Sequence, residues 1–300
     1  MRAVCIALVA LTAIACGTVE ASRPSVEVDM RNVDLHITPQ IDLKVRHLRG
    51  RFVAAGARPA PYLDDPSSYT VAVDTGEVGI DLMSLNAIVS RALERGRSNV
   101  RRVEISVDDK GQLREKGVVK KGINVPFDIK ASISVTPEGL IRIHTESVKG
   151  FGVPVNPLLK VLRVQTADLI RVDSGHGIRV EGNDLLLDVS QLLPPPGFHG
   201  RLTSVRVDRG ALIQTFGSGA AQPISPAATA KNHIYWRGGQ LAFGKLTMTE
   251  TDLELVDDDP RDMFDFSVDR WNEQLVAGYS KTTAHRGLRA HMPDYNDLRH

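Results

Sequence analysis

The residues able to do chemistry are few and scattered. His36, His47, His144, His176, His199 and His233 stand singly along the 300-residue chain, with no His-Glu-x-x-His and no second ligand at short spacing. A zinc site needs such spacing, so these histidines read as structural or solvated side chains and no metal is expected. The sequence contains no Gly-x-Ser-x-Gly and no phosphate-cradling loop. Its two cysteines, Cys5 and Cys16, both lie in the opening stretch, which leaves the rest without a thiolate or a disulfide. The acidic run Asp257, Asp258 and Asp259, with Asp262 and Asp265 nearby, invites a calcium reading. It lacks the alternation and central glycine of an EF-hand loop, and a solvated turn ending at Pro260 is the simpler account. No catalytic residue and no cofactor is therefore expected.

The other chemistry-bearing group is basic. Arg91, Arg95, Arg97, Arg101 and Arg102 gather near one predicted helix end, and Lys116, Lys120 and Lys121 follow on the next hairpin. Near an anionic membrane each such residue contributes roughly 1 kcal/mol, which makes Arg91, Arg95, Arg101 and Arg102 candidates for a headgroup or membrane surface. Compensation of the helix dipole explains the same arginines without a ligand. Formal charge is only +1 and aromatics are 5% of residues, a composition that argues against nucleic acid as a partner.

The elements that must position these groups are mostly strands. Val26/Val28/Met30, then Val33/Leu35/Ile37 after a phase shift at Asn32, alternate as one apolar face, with the shift reading as a bulge. Ile41/Leu43/Val45, Tyr69/Val71/Val73, Val103/Ile105/Val107, Val125 to Val135 and Ile178/Val180 do the same. Asp109-Lys110-Gly111, Pro137-Glu138-Gly139, Gly182-Asn183-Asp184 and Asp208-Arg209-Gly210 punctuate the runs as hairpin turns, and sequential antiparallel strands follow. Leu82, Leu85, Ile88, Val89, Ala92 and Leu93 keep helical spacing, with Asp81 or Ser84 as cap, so an amphipathic helix is predicted over 81–95. A shorter helix is predicted from Pro157 to Val164. Two helices among many strands make an α+β pattern.

Domain organisation follows from composition. Residues 1–21 carry one early cation and an apolar run too short to span a bilayer, the pattern of a signal peptide cleaved after Ala21. Ala13-Ile14-Ala15-Cys16-Gly17 alternatively resembles a bacterial lipobox, with 1–15 removed and Cys16 lipidated. Both routes predict export, to a periplasm-like space or a membrane surface. Residues 22–217 read as the main module and 218–232 as a linker. A β-rich extension follows over 233–279, then a polar, poorly ordered tail over 280–300.

Lys120 to Phe127 leading into Ile129–Val135, the turn at Pro137 and Leu140-Ile141-Arg142-Ile143 resemble the LmeA-like phospholipid-binding proteins of bacteria. These are related to the tubular lipid-binding (TULIP) superfamily. Gly177 to Leu185, Leu192-Leu193-Pro194-Pro195-Pro196 and Gly200 to Val205 resemble the end of the same module. The resemblance implies a long curved antiparallel sheet wrapped around the helix, with an elongated cavity for acyl chains. It implies binding and transfer of phospholipid-like molecules in the cell envelope, without catalysis. Lining residues would then be Leu82, Leu85, Ile88, Val89, Ala92 and Leu93 from the helix and Val125, Phe127, Ile129, Ile133 and Val135 from the sheet. The alternative is a structural or assembly lipoprotein whose core is fully packed and which docks onto a protein partner. Cargo identity, oligomeric state and protein partners are not written in the sequence.

Overall fold

The computed structural model describes residues 23–108, 111–121, 123–150, 153–154, 177–218, 224, 228 and 230–299. The signal segment with Cys16 and the helix predicted from Pro157 to Val164 lie outside the described residues.

In chain order the elements are β1 (Ser25–Thr38), β2 (Ile41–Ala54), β3 (Tyr69–Asp81), helix α1 (Leu82–Arg95), β4 (Val100–Val107), β5 (Leu113–Lys121), β6 (Ile123–Val135), β7 (Ile141–Gly150) and β8 (Val153–Pro154). Next come β9 (Ile178–Glu181), β10 (Asp184–Leu187), the short helix α2 (Val189–Leu192), β11 (Gly197–Gly200), β12 (Leu202–Asp208) and β13 (Ala211–Phe216). The remainder holds β14 (His233–Arg237), β15 (Leu241–Phe243), β16 (Leu246–Met248), β17 (Asp252–Asp257), β18 (Phe264–Ser267), α3 (Trp271–Ala277), β19 (Tyr279–Thr282) and β20 (Leu288–Met292).

The molecule is thus sheet-rich α+β, with a curled half-barrel sheet and few helices. Instead of one continuous antiparallel sheet it has two. An 11-stranded sheet runs β12-β13-β3-β2-β1-β14-β17-β20-β19, with β11 beside β3 and β18 beside β1. A 7-stranded sheet runs β4-β5-β6-β7-β10-β9 with β8 beside β7, and β15-β16 form a separate pair. Three pairings, β1 with β18, β3 with β11 and β17 with β20, are parallel. The turns read from Gly111, Gly139, Gly182 and Gly210 each join two antiparallel neighbours, and all four glycines have positive φ, where a side chain would be strained.

The phase shift in β1 is a change of neighbour. Glu27–Arg31 pair with β14, whereas Val33–His36 pair with β18, and Asn32 between them takes φ 50°. Its side-chain amide donates to the Lys231 carbonyl and to Asn232 Oδ1, both at 3.3 Å. The pairing of β2 with β3 shifts register close by, between Val45 and His47, so the apolar face changes side on adjacent strands.

Two expectations about the C-terminal part need correction. The strands of 233–279 are not an appendix, since β14 and β18 are the direct neighbours of β1. Residues 280–300 are not a loose tail: β20 lies between β17 and β19, with Ala290 and Met292 fully buried. The polar composition misled because it averages two faces; Arg289 reaches Glu254 while Ala290 points inward. Within the expected linker, Ile224 is likewise buried.

The core of the large sheet is aromatic on one side. Phe52 stacks on Tyr69 at 4.5 Å and meets the edge of Trp236 at 5.6 Å, while Phe264 and Phe266 lie 5.6 Å apart. Each large apolar side chain buried in this way contributes roughly 1.5–3 kcal/mol relative to leaving it in water.

Candidate functional site

Helix α1 forms where the sequence places it, and its start is fixed by the Asp81 carboxylate accepting from Ser84 N–H at 2.7 Å. Leu85, Ile88, Val89, Ala92 and Leu93 are all buried, and Leu82 is partly buried against the same core. The helix packs on β2, β3 and β13 of the large sheet and on β4 of the second. Asn86 locks that junction: its amide donates to the Ile105 carbonyl at 2.9 Å and accepts from Ile105 N–H at 2.7 Å. It thereby takes the place of a neighbouring strand along the free edge of β4. The helical half of the expected groove is packed core, shared by both sheets.

The sheet half differs. Directly paired residues of antiparallel strands point to one face. The register Ile105–Glu115–Ile129, Leu113–Ala131, Gly117–Phe127 and Val119–Val125 therefore defines the inner face of the second sheet. Ile133 pairs with Ile143 and Val135 with Ile141 on that face. Ile129 and Ala131 are buried, whereas Val125, Phe127, Ile133 and Val135 are only partly buried. The structure brings the five expected sheet residues onto one strand face that is closed in its middle and partly open at both ends.

Glu115 sits in the middle of this apolar face, between Ile105 and Ile129. Its Oε1 is buried without a hydrogen-bond partner among the described residues, and burial pushes its pKa up to about 7. The next same-face position is Gly117, where an added Cβ would lie 2.6 Å from Phe127 Cζ. The missing side chain lets the phenyl ring lie over the strand. Sequence reasoning passed over Glu115 and Asn86; the signal for Glu115 was a lone acid in the alternation Leu113, Glu115, Gly117, Val119.

Of the expected surface cations, Arg95 donates to the Leu192 carbonyl at 3.2 Å and Arg101 to the Val100 carbonyl at 3.0 Å. Both are exposed, as is Arg102, and Arg91 is partly buried. Arg102 has φ 54°, next to the register shift in β4. The acidic run is dispersed into separate tasks: Asp257 accepts from Asn232, Asp259 pairs with Arg261, and Asp265 receives His36. No group of three or more metal-donor residues converges among the described residues.

The large sheet encloses a small apolar cavity of about 30 Å³, lined by Met30, Phe52, Tyr69, Trp236, Phe243 and Trp271 among others. That volume holds about one water and no acyl chain. An open, polar depression of about 600 Å³ lies between Arg237, Thr247–Asp252 and His285–Leu288, and a smaller one of about 260 Å³ beside Ile178 and Asp188.

The fold and this face define a sheet-rich α+β protein with a partly open apolar strand surface. No helix among the described residues is long and apolar enough to cross a membrane. No protein-family model, no curated protein and no solved structure matches the chain.

Proposed function

We propose that the protein binds phospholipid-like amphiphiles on the inner face of the second sheet, in the manner of TULIP-like modules, and holds or transfers them in a bacterial cell envelope without catalysis. The observation that carries this reading is the partial exposure of Val125, Phe127, Ile133 and Val135 on an otherwise apolar face. Each methylene withdrawn from water onto such a face contributes about 0.8 kcal/mol, so part of one chain gives useful affinity. An open side favours release as well as capture. The N-terminal apolar run and the lipobox-like Cys16 support an envelope location.

The test is solvent extraction of the purified full chain followed by mass spectrometry, with Phe127→Asp as control. Lipid is expected with the parent protein and not with the variant, whose fold is checked by circular dichroism because Phe127 packs against the core. Repeated absence of lipid, together with no uptake of a fluorescent phospholipid from vesicles, would overturn the reading. One observation favours the second reading, a packed envelope lipoprotein that docks onto a partner: the cavity inside the large sheet has room for one water only.

A further inference from the structure

A carboxyl group in the middle of an apolar strand face is costly unless something pairs with it. Glu115 has Ile105 and Ile129 across the sheet and Leu113 and Gly117 along its own strand, none of which offers a donor side chain. Its shift arises from burial alone, so no neighbouring charge from β4, β5, β6 or α1 compensates it. Glu254 and Asp252 each also have one oxygen without a hydrogen-bond partner, but a cation stands beside each: Arg289 at Glu254 and Arg237 at Asp252, which accepts from Tyr235 as well. Glu115 is itself partly exposed and lies where the buried middle of the second sheet's face gives way to the half-buried Phe127.

We propose that the amphiphile held on this face carries a protonated amine at its polar end, and that the Glu115 carboxylate receives it. The inference rests on the lipid-binding reading and adds the class of ligand. An ammonium group supplies the missing donor and the opposite charge together, a charge-assisted hydrogen bond. An end that carries only a carboxylate or a phosphate would be set against a like charge or would force Glu115 to stay protonated, whereas an aminophospholipid presents an ammonium beside its phosphate. The Phe127 ring, one same-face position along, offers an aromatic surface that also favours a cation. Burial raises the pKa of the Glu115 carboxyl, so at pH 6 binding of the ammonium form should be accompanied by proton release.

The experiment is isothermal titration calorimetry of the full chain at pH 6 with dodecylammonium, dodecan-1-ol and dodecanoate, the ions below their aggregation concentrations and the alcohol below its solubility limit. Dodecylammonium is expected to bind at least about tenfold more tightly than dodecan-1-ol, with proton release seen as a buffer-dependent heat. Glu115→Gln should bring the two within about twofold and abolish the release, and Glu115→Leu should favour the alcohol. If the parent protein binds all three probes equally, the amine proposal fails while the apolar face stands. If it binds none, the lipid-binding reading fails first. The comparison among probes on the parent protein needs no variant to fold.

Discussion

The two sheets differ in what stands beside a buried carboxylate: Asp34, Asp252 and Glu254 of the large sheet each have a cation nearby, and Glu115 of the second has none among the described residues. In the large sheet, buried charges are paired: His36 donates to Asp42 from Nδ1 at 2.5 Å and to Asp265 from Nε2, and Asp265 N–H donates to Asp294 at 2.7 Å. Its apolar side is aromatic, with a cavity of only about 30 Å³. In the second sheet the inner face is aliphatic apart from Phe127, partly open, and interrupted by an unpaired Glu115. Both sheets hold buried polar atoms without a hydrogen-bond partner, among them Gln214 Oε1 and Trp236 Nε1 in the large one, but Glu115 differs in that burial alone sets its shift and no neighbouring charge offsets it. If the proposed binding is right, truncations in the large sheet act mainly on stability and truncations on the second sheet's face act on binding as well.

The sharpest test of that division is truncation in each. Phe264→Ala, in the fully buried part of the large sheet, should cost about 3–5 kcal/mol in urea denaturation. Ile133→Ala, partly buried in the second sheet, should cost about 1 kcal/mol while weakening amphiphile binding. Equal costs would break the comparison.

A second test uses pH. Glu115 has a folded-state pKa raised to about 7 from 4.5, so it destabilises the folded protein above that range and the penalty is relieved as pH falls towards 4.5. Glu115→Gln should remove this pH-dependent component, on the order of 3 kcal/mol between pH 8 and pH 4, as read from urea midpoints.

The large sheet should lose stability in a higher window. Burial opposes charge on His36, but the hydrogen bonds to Asp265 and Asp42 outweigh it and raise its pKa to about 10. The stabilisation is complete below about 6.5 and is lost as pH rises through about 10, and His36→Gln should flatten denaturation midpoints across that interval. The smallest expected effect is that of Gly117→Ala, which displaces the Phe127 ring. It should cost under about 1 kcal/mol of stability yet lower amphiphile affinity measurably.

Local periodicity was the readable part of this fold. The strands through Val26, Leu43, Val71 and Ile129, the helix with its Asp81 cap, and the glycine turns are properties of neighbours in sequence, and they lie where the pattern puts them. Which strands share a sheet was not readable, because alternation shows that Val125 and Ile129 point one way without saying what lies opposite. The C-terminal strands were missed for a related reason: the composition around Arg289 hides the buried Ala290 and Met292. Of the site, the sheet residues were legible as a face, whereas Asn86 and Glu115 acquire meaning only from the edge and the centre of the strands they touch.

The place of β1 has a consequence for how the protein comes into being. Its inner neighbour is available almost at once, but the other edge is covered by His233–Arg237 and Phe264–Ser267, more than 190 residues later. A chain emerging from its N-terminus must keep that edge unsatisfied until nearly all of it has arrived. Pairing over such separations is slow, and an open strand edge invites the wrong partner in the meantime. The sheet cannot be completed around β1 before Phe264–Ser267 has been delivered, and a version cut short before Phe264 would display the centre of its own sheet as a sticky border.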